Sequence, residues 1–265
     1  MDGLLGLTLD SGTQTLIFAL LGGTLPPLIW LFFWLKEDNT HPEPKLLIGA
    51  TFIAGMIVVP IVVALERAFV GSVNPNFLQL INTAHPENFR TLVNFITIVG
   101  TSGIEEVAKY LAVFFIAMQA RNFDEPIDAV EYLITAALGF AALENTLYLL
   151  HGLSENSLGG ALFANNLRFI GATLLHTASS GILGVFLAFS FYQKKVIAAE
   201  YAIMGLLTAT GLHALFNFLI IEGRWSSPVY TFALMWAVLI ILIFMFEWIK
   251  RIQAKAPLTN IETHG

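Results

Sequence analysis

Three observations predict an all-α, polytopic membrane protein. Only 12% of the 265 residues are charged, whereas a soluble domain of this size carries about 25%. The mean hydropathy is +0.74. Seven apolar stretches approach the roughly 20 residues that a helix needs to cross the hydrocarbon core.

The stretches fall at about 13–35, 46–70, 94–118, 128–150, 162–190, 197–221 and 228–249. Length rather than periodicity identifies them, because helices surrounded by lipid and protein are apolar all round. The first has no positive charge ahead of it between Met1 and Asp10. A secretory signal would carry one, so this stretch reads as a retained span. Pro26 and Pro27 fall inside it and predict a kink. The connection from Lys36 to Lys45 holds Pro42 and Pro44 and reads as a turn. After the second stretch comes a long polar loop, Gly71 to Arg90, with a short interfacial helix expected around Phe77 to Ile81. The fifth is long enough to tilt or break, with Gly159, Gly160 and Gly171 as the weak points. The tail from Ala256 is polar and reads as disordered, which leaves residues 1–255 as one membrane domain with its motifs between 100 and 217.

Orientation follows from the positive-inside rule. With the N-terminus outside, the inner segments hold Lys36, Lys45, Arg121, Lys194, Lys195, Lys250, Arg251 and Lys255, against Arg67, Arg90 and Arg224 outside. The chain is therefore expected N-out and C-in, in the plasma membrane of a prokaryote. The absence of cysteine removes thiolate ligands and cysteine catalysis. A net charge of -6 without a basic cluster gives no reason to expect nucleic acid. The partners to expect are the lipid bilayer and what it contains.

Ionisable groups at membrane depth are costly and mark function by default. The third stretch carries Glu105, Glu106 and Lys109, the fourth Glu144 followed by Asn145. The fifth carries Arg168 and His176, with Ser179 and Ser180 one turn on and placed to orient the imidazole; the sixth carries His213 and, four residues later, Asn217. At 1.5 Å per residue the two glutamate positions and the two histidines lie at similar depth on four helices. Lys109 is i,i+4 from Glu105 and i,i+3 from Glu106, so either carboxylate can pair with it. The two carboxylates are about 100° apart around the axis, so one can face a cavity while the other holds Lys109.

Peptide hydrolysis fits this set. Glu105 or Glu106 would activate water, His176 and His213 would act as acid or orienting groups, Glu144 would complete the site, and Asn217 would donate to the oxyanion. A second version adds zinc, held by His176 and His213 with Glu106 or Glu144. No paired-ligand motif such as His-Glu-x-x-His is present, which inclines the reading to metal-free chemistry, and zinc is the one cofactor the set would accommodate. Gly100-Thr101-Ser102-Gly103 also matches a rhomboid-like serine pattern, with Ser102 as nucleophile, but leaves three glutamates unexplained. An ion- or proton-coupled transporter would use midplane charges too, although no inverted repeat supports it. Taken singly, each residue has a structural reading, such as a packing ion pair for Glu106 and Lys109.

At these residues the chain resembles the PrsW family of intramembrane proteases, distantly related to the CAAX prenyl protease group. The resemblance rests on Glu105-Glu106-Val-Ala-Lys109, Gly139-Phe140-Ala-Ala-Leu-Glu144-Asn145, His176 with Ser180, and His213-Ala-Leu-Phe-Asn217, supported by Asp128-Ala129 before Tyr132 and by Arg168 before His176. The CAAX group favours an arginine after the paired glutamates and a histidine where this chain has Glu144, which points away from a prenylated substrate. The resemblance implies a multi-pass protease cutting membrane-anchored proteins. The best-known bacterial members make the first cut in an anti-sigma factor.

Overall fold

A computed structural model describes residues 11–37, 42–81, 86–155, 158–221 and 228–253, with side chains described over a somewhat narrower set. Seven helices follow one another: α1 (Ser11–Glu37), α2 (Lys45–Ile81), α3 (Pro86–Ile116), α4 (Pro126–Glu155), α5 (Leu158–Phe189), α6 (Lys195–Ile221) and α7 (Pro228–Gln253). No strand occurs among the described residues. Three of the helices, α3, α4 and α7, open on proline, whose missing N–H is one that the first turn leaves unused anyway. Six of the seven are long and apolar enough to cross a membrane. The exception is α3, which carries Glu105, Glu106 and Lys109 in its body.

Two local expectations change. The interfacial helix expected around Phe77 to Ile81 is the continuation of α2 itself, so the connection to α3 is shorter than the sequence suggested. Phe77, Leu78, Leu80 and Ile81 carry apolar residues onward at helical spacing, which favours prolonging the helix over starting a new one. The fifth stretch does not break: α5 runs through Gly159, Gly160 and Gly171, because a glycine inside a helix costs only about 1 kcal/mol relative to alanine. Pro26 and Pro27 lie inside α1, which continues through them. The tail from Ala256 lies outside the described residues.

The bundle is organised around α4, which packs against α1, α2, α3, α5 and α7. The apolar windows of α4 and α5 are each 72% buried, whereas the other four lie between 22% and 28%, so α4 and α5 form the interior. Around them α1, α2, α6 and α7 turn large apolar side chains outward, among them Phe18, Leu21, Ile57, Leu207 and Phe244. Outward apolar faces of that kind suit a lipid surrounding.

Close approach to α4 depends on glycine. A Cβ on Gly55 of α2 would lie 2.0 Å from the Ala136 carbonyl oxygen, and one on Gly139 of α4 would lie 2.0 Å from that of Phe52. The two backbones touch reciprocally, as small residues allow between membrane helices. At its N-terminus α4 is capped from within. The Asp128 carboxylate Oδ2 accepts the backbone N–H groups of Asp124 at 2.9 Å and Glu125 at 2.8 Å, which is the reach-back half of a capping box. Tyr132 on the next turn donates its hydroxyl proton to Glu43, tying the α1–α2 connection to α4.

Candidate active site

α3 lies against α2, α4, α5 and α6, and its polar trio faces inward among them. Glu106 is fully buried and saturated. Its Oε1 accepts from Lys109 Nζ at 2.7 Å, from the Ser179 hydroxyl at 2.9 Å and from His213 Nδ1 at 2.8 Å. Its Oε2 accepts from the Ser180 hydroxyl at 2.9 Å. A carboxylate offers about four lone-pair sites, and Glu106 has four donors. The two serines, expected to orient His176, thus bind the glutamate instead.

Glu105 is the contrast. Its Oε2 is buried, yet no ammonium, imidazole or hydroxyl donor comes within hydrogen-bond length. The oxygen stands 3.7 Å from Lys109 Nζ, 3.8 Å from His176 Nδ1 and 3.8 Å from His213 Nε2. Two imidazole nitrogens from two helices therefore point at one unsatisfied carboxylate oxygen.

The opposite nitrogen of each ring is fixed. Lys109 donates to His176 Nδ1 at 2.8 Å, which leaves the ring proton on Nε2, and Nε2 donates to Glu144 Oε2 at 2.8 Å. On His213 it is Nδ1–H that donates to Glu106, so its Nε2 lone pair is the one facing Glu105. A carboxylate behind each imidazole sets tautomer and ring direction, as it does for histidines that ligate metals. The rings meet edge to face at 5.1 Å. Phe140, one residue beyond the Gly139 contact, lies 5.3 Å from the His176 ring and 4.6 Å below Lys109 Nζ. Glu144, its side chain 32% exposed, is the more open end of the cluster.

The sequence-derived residues divide in this way. Glu105, Glu106, Lys109, Glu144, His176, Ser180 and His213 come together. Asn145 instead donates to Thr173 at 3.3 Å and links α4 to α5. Asn217 is half-buried one turn beyond His213 and makes none of the bonds of the cluster. The Arg168 side chain lies outside the described set. The Ser102 hydroxyl is buried without a partner. It makes no hydrogen bond to either histidine, so the bond that a serine nucleophile needs is missing. Sequence reasoning passed over Glu66 of α2, whose carboxyl lies against that of Glu105 and feels the charge of Glu144. The signal was there: Glu66 follows the buried Val59 and Val62 at helical spacing, on the inward stripe of α2.

A metal fits this donor set. Glu105, His176 and His213 each present a ligand atom, all within 4.8 Å of one another. The 3.8 Å gaps leave room for an ion bonded at about 2 Å to each, once the Lys109 ammonium gives up the Nδ1 lone pair of His176 and keeps Glu106 alone as its partner. Glu106 and Glu144, the carboxylates proposed from sequence as ligands, sit behind the histidines instead of between them. Among the described residues, four carboxyls, Glu66, Glu105, Glu106 and Glu144, gather around the one ammonium of Lys109 in this cluster, an excess of acidic groups that a divalent cation would offset.

Fold and site together define a class: a multi-pass, all-helical membrane protein with a buried glutamate–histidine centre suited to hydrolysis. Comparison with known proteins narrows that class. The family model described as "PrsW family intramembrane metalloprotease" matches residues 43–246, which takes in α2 to α6 and most of α7, and the chain belongs to this family. It is 27% identical over 204 residues to Protease PrsW of Clostridioides difficile, covering 76% of this chain and 79% of that protein. Protease PrsW of Geobacillus kaustophilus is 27% identical over 224 residues, covering 82% and 87%. The Bacillus subtilis protein of the same name is 23% identical over 210 residues, covering 77% and 84%. No solved structure matches. The protein is an intramembrane protease of a bacterial type, and the transporter and serine-nucleophile readings fall away.

Proposed function

We propose that Glu105, His176 and His213 form the working centre of a zinc-dependent endopeptidase that cuts membrane-anchored proteins within or beside the bilayer. The observation that carries this is the convergence of two oriented imidazole nitrogens on the unsatisfied Glu105 oxygen. Zinc, when bound there, supplies an acidified water and polarises the scissile carbonyl. Glu106 holds the His213 ring through Nδ1, and Glu144 holds His176 through Nε2. Lys109 keeps Glu106 as its partner, 2.7 Å away. Glu144, partly exposed, lies at the open side, where substrate and water would enter. Asn217 is the candidate oxyanion donor, and Asn145, Arg168 and Ser180 support the framework.

A second reading has one observation in its favour. Lys109 Nζ already stands 2.8 Å from the His176 nitrogen that faces Glu105, so an ammonium can serve as the resident cation while Glu105 acts as base without a metal. In both readings α3 crosses the membrane as a seventh span, with the N-terminus outside and the C-terminus inside, and residues 1–255 make one membrane domain.

The test uses the purified full chain in detergent and a single-span reporter protein. Cleavage is expected, and it should be lost in Glu105→Gln and His213→Ala. Cleavage that survives Glu105→Gln rejects the assignment. Elemental analysis with chelator and zinc add-back separates the two readings, since stoichiometric zinc with chelator-sensitive cleavage supports the first.

A further inference from the structure

We infer that Glu66 of α2 is a positioning residue of this centre, holding the carboxyl of Glu105 so that Oε2 stays aimed between the two imidazoles. The inference rests on the proposed role of Glu105. Three observations lead to it. First, Glu105 has little else to fix its carboxylate: its lysine and both histidines stand 3.7–3.8 Å from Oε2, beyond hydrogen-bond length. Glu106, one residue on, has four close donors. Second, the carboxyls of Glu66 and Glu105 meet across the α2–α3 contact, where a proton on one of them would let them share a hydrogen bond. Third, α2 places Glu66 there by register. Val59 and Val62 pack beside Phe140 and Ile104 in one buried cluster, and Glu66, four residues past Val62, extends that inward stripe by one turn to the level of Glu105. A half-buried glutamate on an otherwise apolar helix face is costly at that depth, and a proton shared with a site carboxylate gives it an inward partner.

The role is thus second-hand. Glu66 does not reach either imidazole in the bonds described for the site, and it works through the Glu105 rotamer. Outer partners of this kind change metal affinity or activity by about 10–100-fold when removed.

Two variants of the full chain, purified in detergent, test this against wild type. Glu66→Gln keeps a donor and an acceptor at the position, whereas Glu66→Leu removes both and fits the apolar face. Zinc affinity by calorimetric titration and the separate kcat and KM for a single-span reporter are the readouts, with thermal melting to establish folding. We expect Glu66→Leu to fold, to weaken zinc binding and lower kcat by about 10–100-fold, and to leave KM within about twofold. Glu66→Gln should stay within about threefold of wild type in both readouts, since it retains the bond that positions Glu105. Wild-type values in Glu66→Leu overturn the inference, as does an equal loss in both variants. A wild-type chain that binds zinc without cutting the reporter counts against the substrate assignment alone, and the titration still decides on Glu66. A wild-type chain that cuts without binding zinc leaves kcat to decide. One that does neither overturns both readings.

Discussion

Glu105 and Glu106 are adjacent and chemically identical, yet their surroundings assign them opposite work. Four donors converge on Glu106, which makes it an anchor, while Glu105 is left with an oxygen open to a ligand. Glu106→Gln should therefore fold but misdirect His213, lowering cleavage by about 10–100-fold. An activity equal to wild type would show that the His213 ring needs no anchor. Lys109→Met removes the fully buried ammonium that contacts Glu106 and His176. It should weaken activity and lower stability by about 3–5 kcal/mol, read as a drop in melting temperature. Far from the site, burial is the largest influence on Glu43 and raises its carboxyl above the usual 4.5. An acid raised on folding is favoured in its neutral form, so its contribution is present at low pH and lost as pH climbs through the raised value. Melting temperature against pH should show wild type falling behind Glu43→Gln as pH increases from about 4; a gap that narrows instead rejects the assignment. At this scale the sequence revealed which residue types cluster but not which carboxylate faces which nitrogen. That choice depends on rotations of α3, α5 and α6 that apolar composition does not encode. Glu66 escaped because a charge near a span end also fits simple snorkelling.

At the scale of elements, the helices were legible to within about five residues, since each is marked by an apolar run closed by charge or proline, except where α2 runs on to Ile81 and α3 starts back at Pro86, through the polar stretch read as a loop. What was not legible was how closely they pack. Gly139 is a motif residue on α4, but only the structure shows that it and Gly55 let α4 and α2 meet backbone to backbone. Gly139→Ala should force the helices apart and cost about 1–3 kcal/mol or more, while disturbing Phe140 and, through it, His176 and Lys109. Gly49→Ala is the control on the same α2 helix, because a Cβ there meets nothing within 4 Å. Melting curves of the two variants check this, and equal behaviour would mean that the α2–α4 contact is looser than described. The extended α2 was misjudged because loop-like polar residues are weak punctuation when neighbouring helices supply packing, and for the same reason α5, read as long enough to tilt or break, runs unbroken through its glycines.

For the whole molecule, topology is the open quantity that the fold constrains most. Six helices qualify as spans by composition, and α3 would make seven, which places the two ends on opposite sides. The chain has no cysteine, so single cysteines introduced at Gly3 and at Thr259 report their side directly through an impermeant thiol reagent applied to intact cells. Labelling of the N-terminal cysteine alone is expected; labelling of both or of neither would leave α3 outside the set of spans. The count of lysine and arginine between the apolar stretches predicts this arrangement, because loop charge is a property of sequence, whereas the depth of a charged helix is a property of its neighbours.

That last dependence bears on how the protein is made. α3 carries Glu105, Glu106 and Lys109 in its body, and each charge costs about 2.5–3.5 kcal/mol at the centre of a membrane. The partners that relieve the cost, His176, Ser179, Ser180 and His213, are on α5 and α6, which leave the ribosome later. Until they are synthesised, the internal Lys109–Glu106 ion pair is the main offset to the charges of α3. If α3 is the seventh span, it must wait during biogenesis at the edge of the insertion machinery, or in a watery vestibule, and settle together with the helices that complete it. Assembly of the catalytic centre and final membrane integration then become a single event, so a chain that fails to build the site also fails to finish its own insertion.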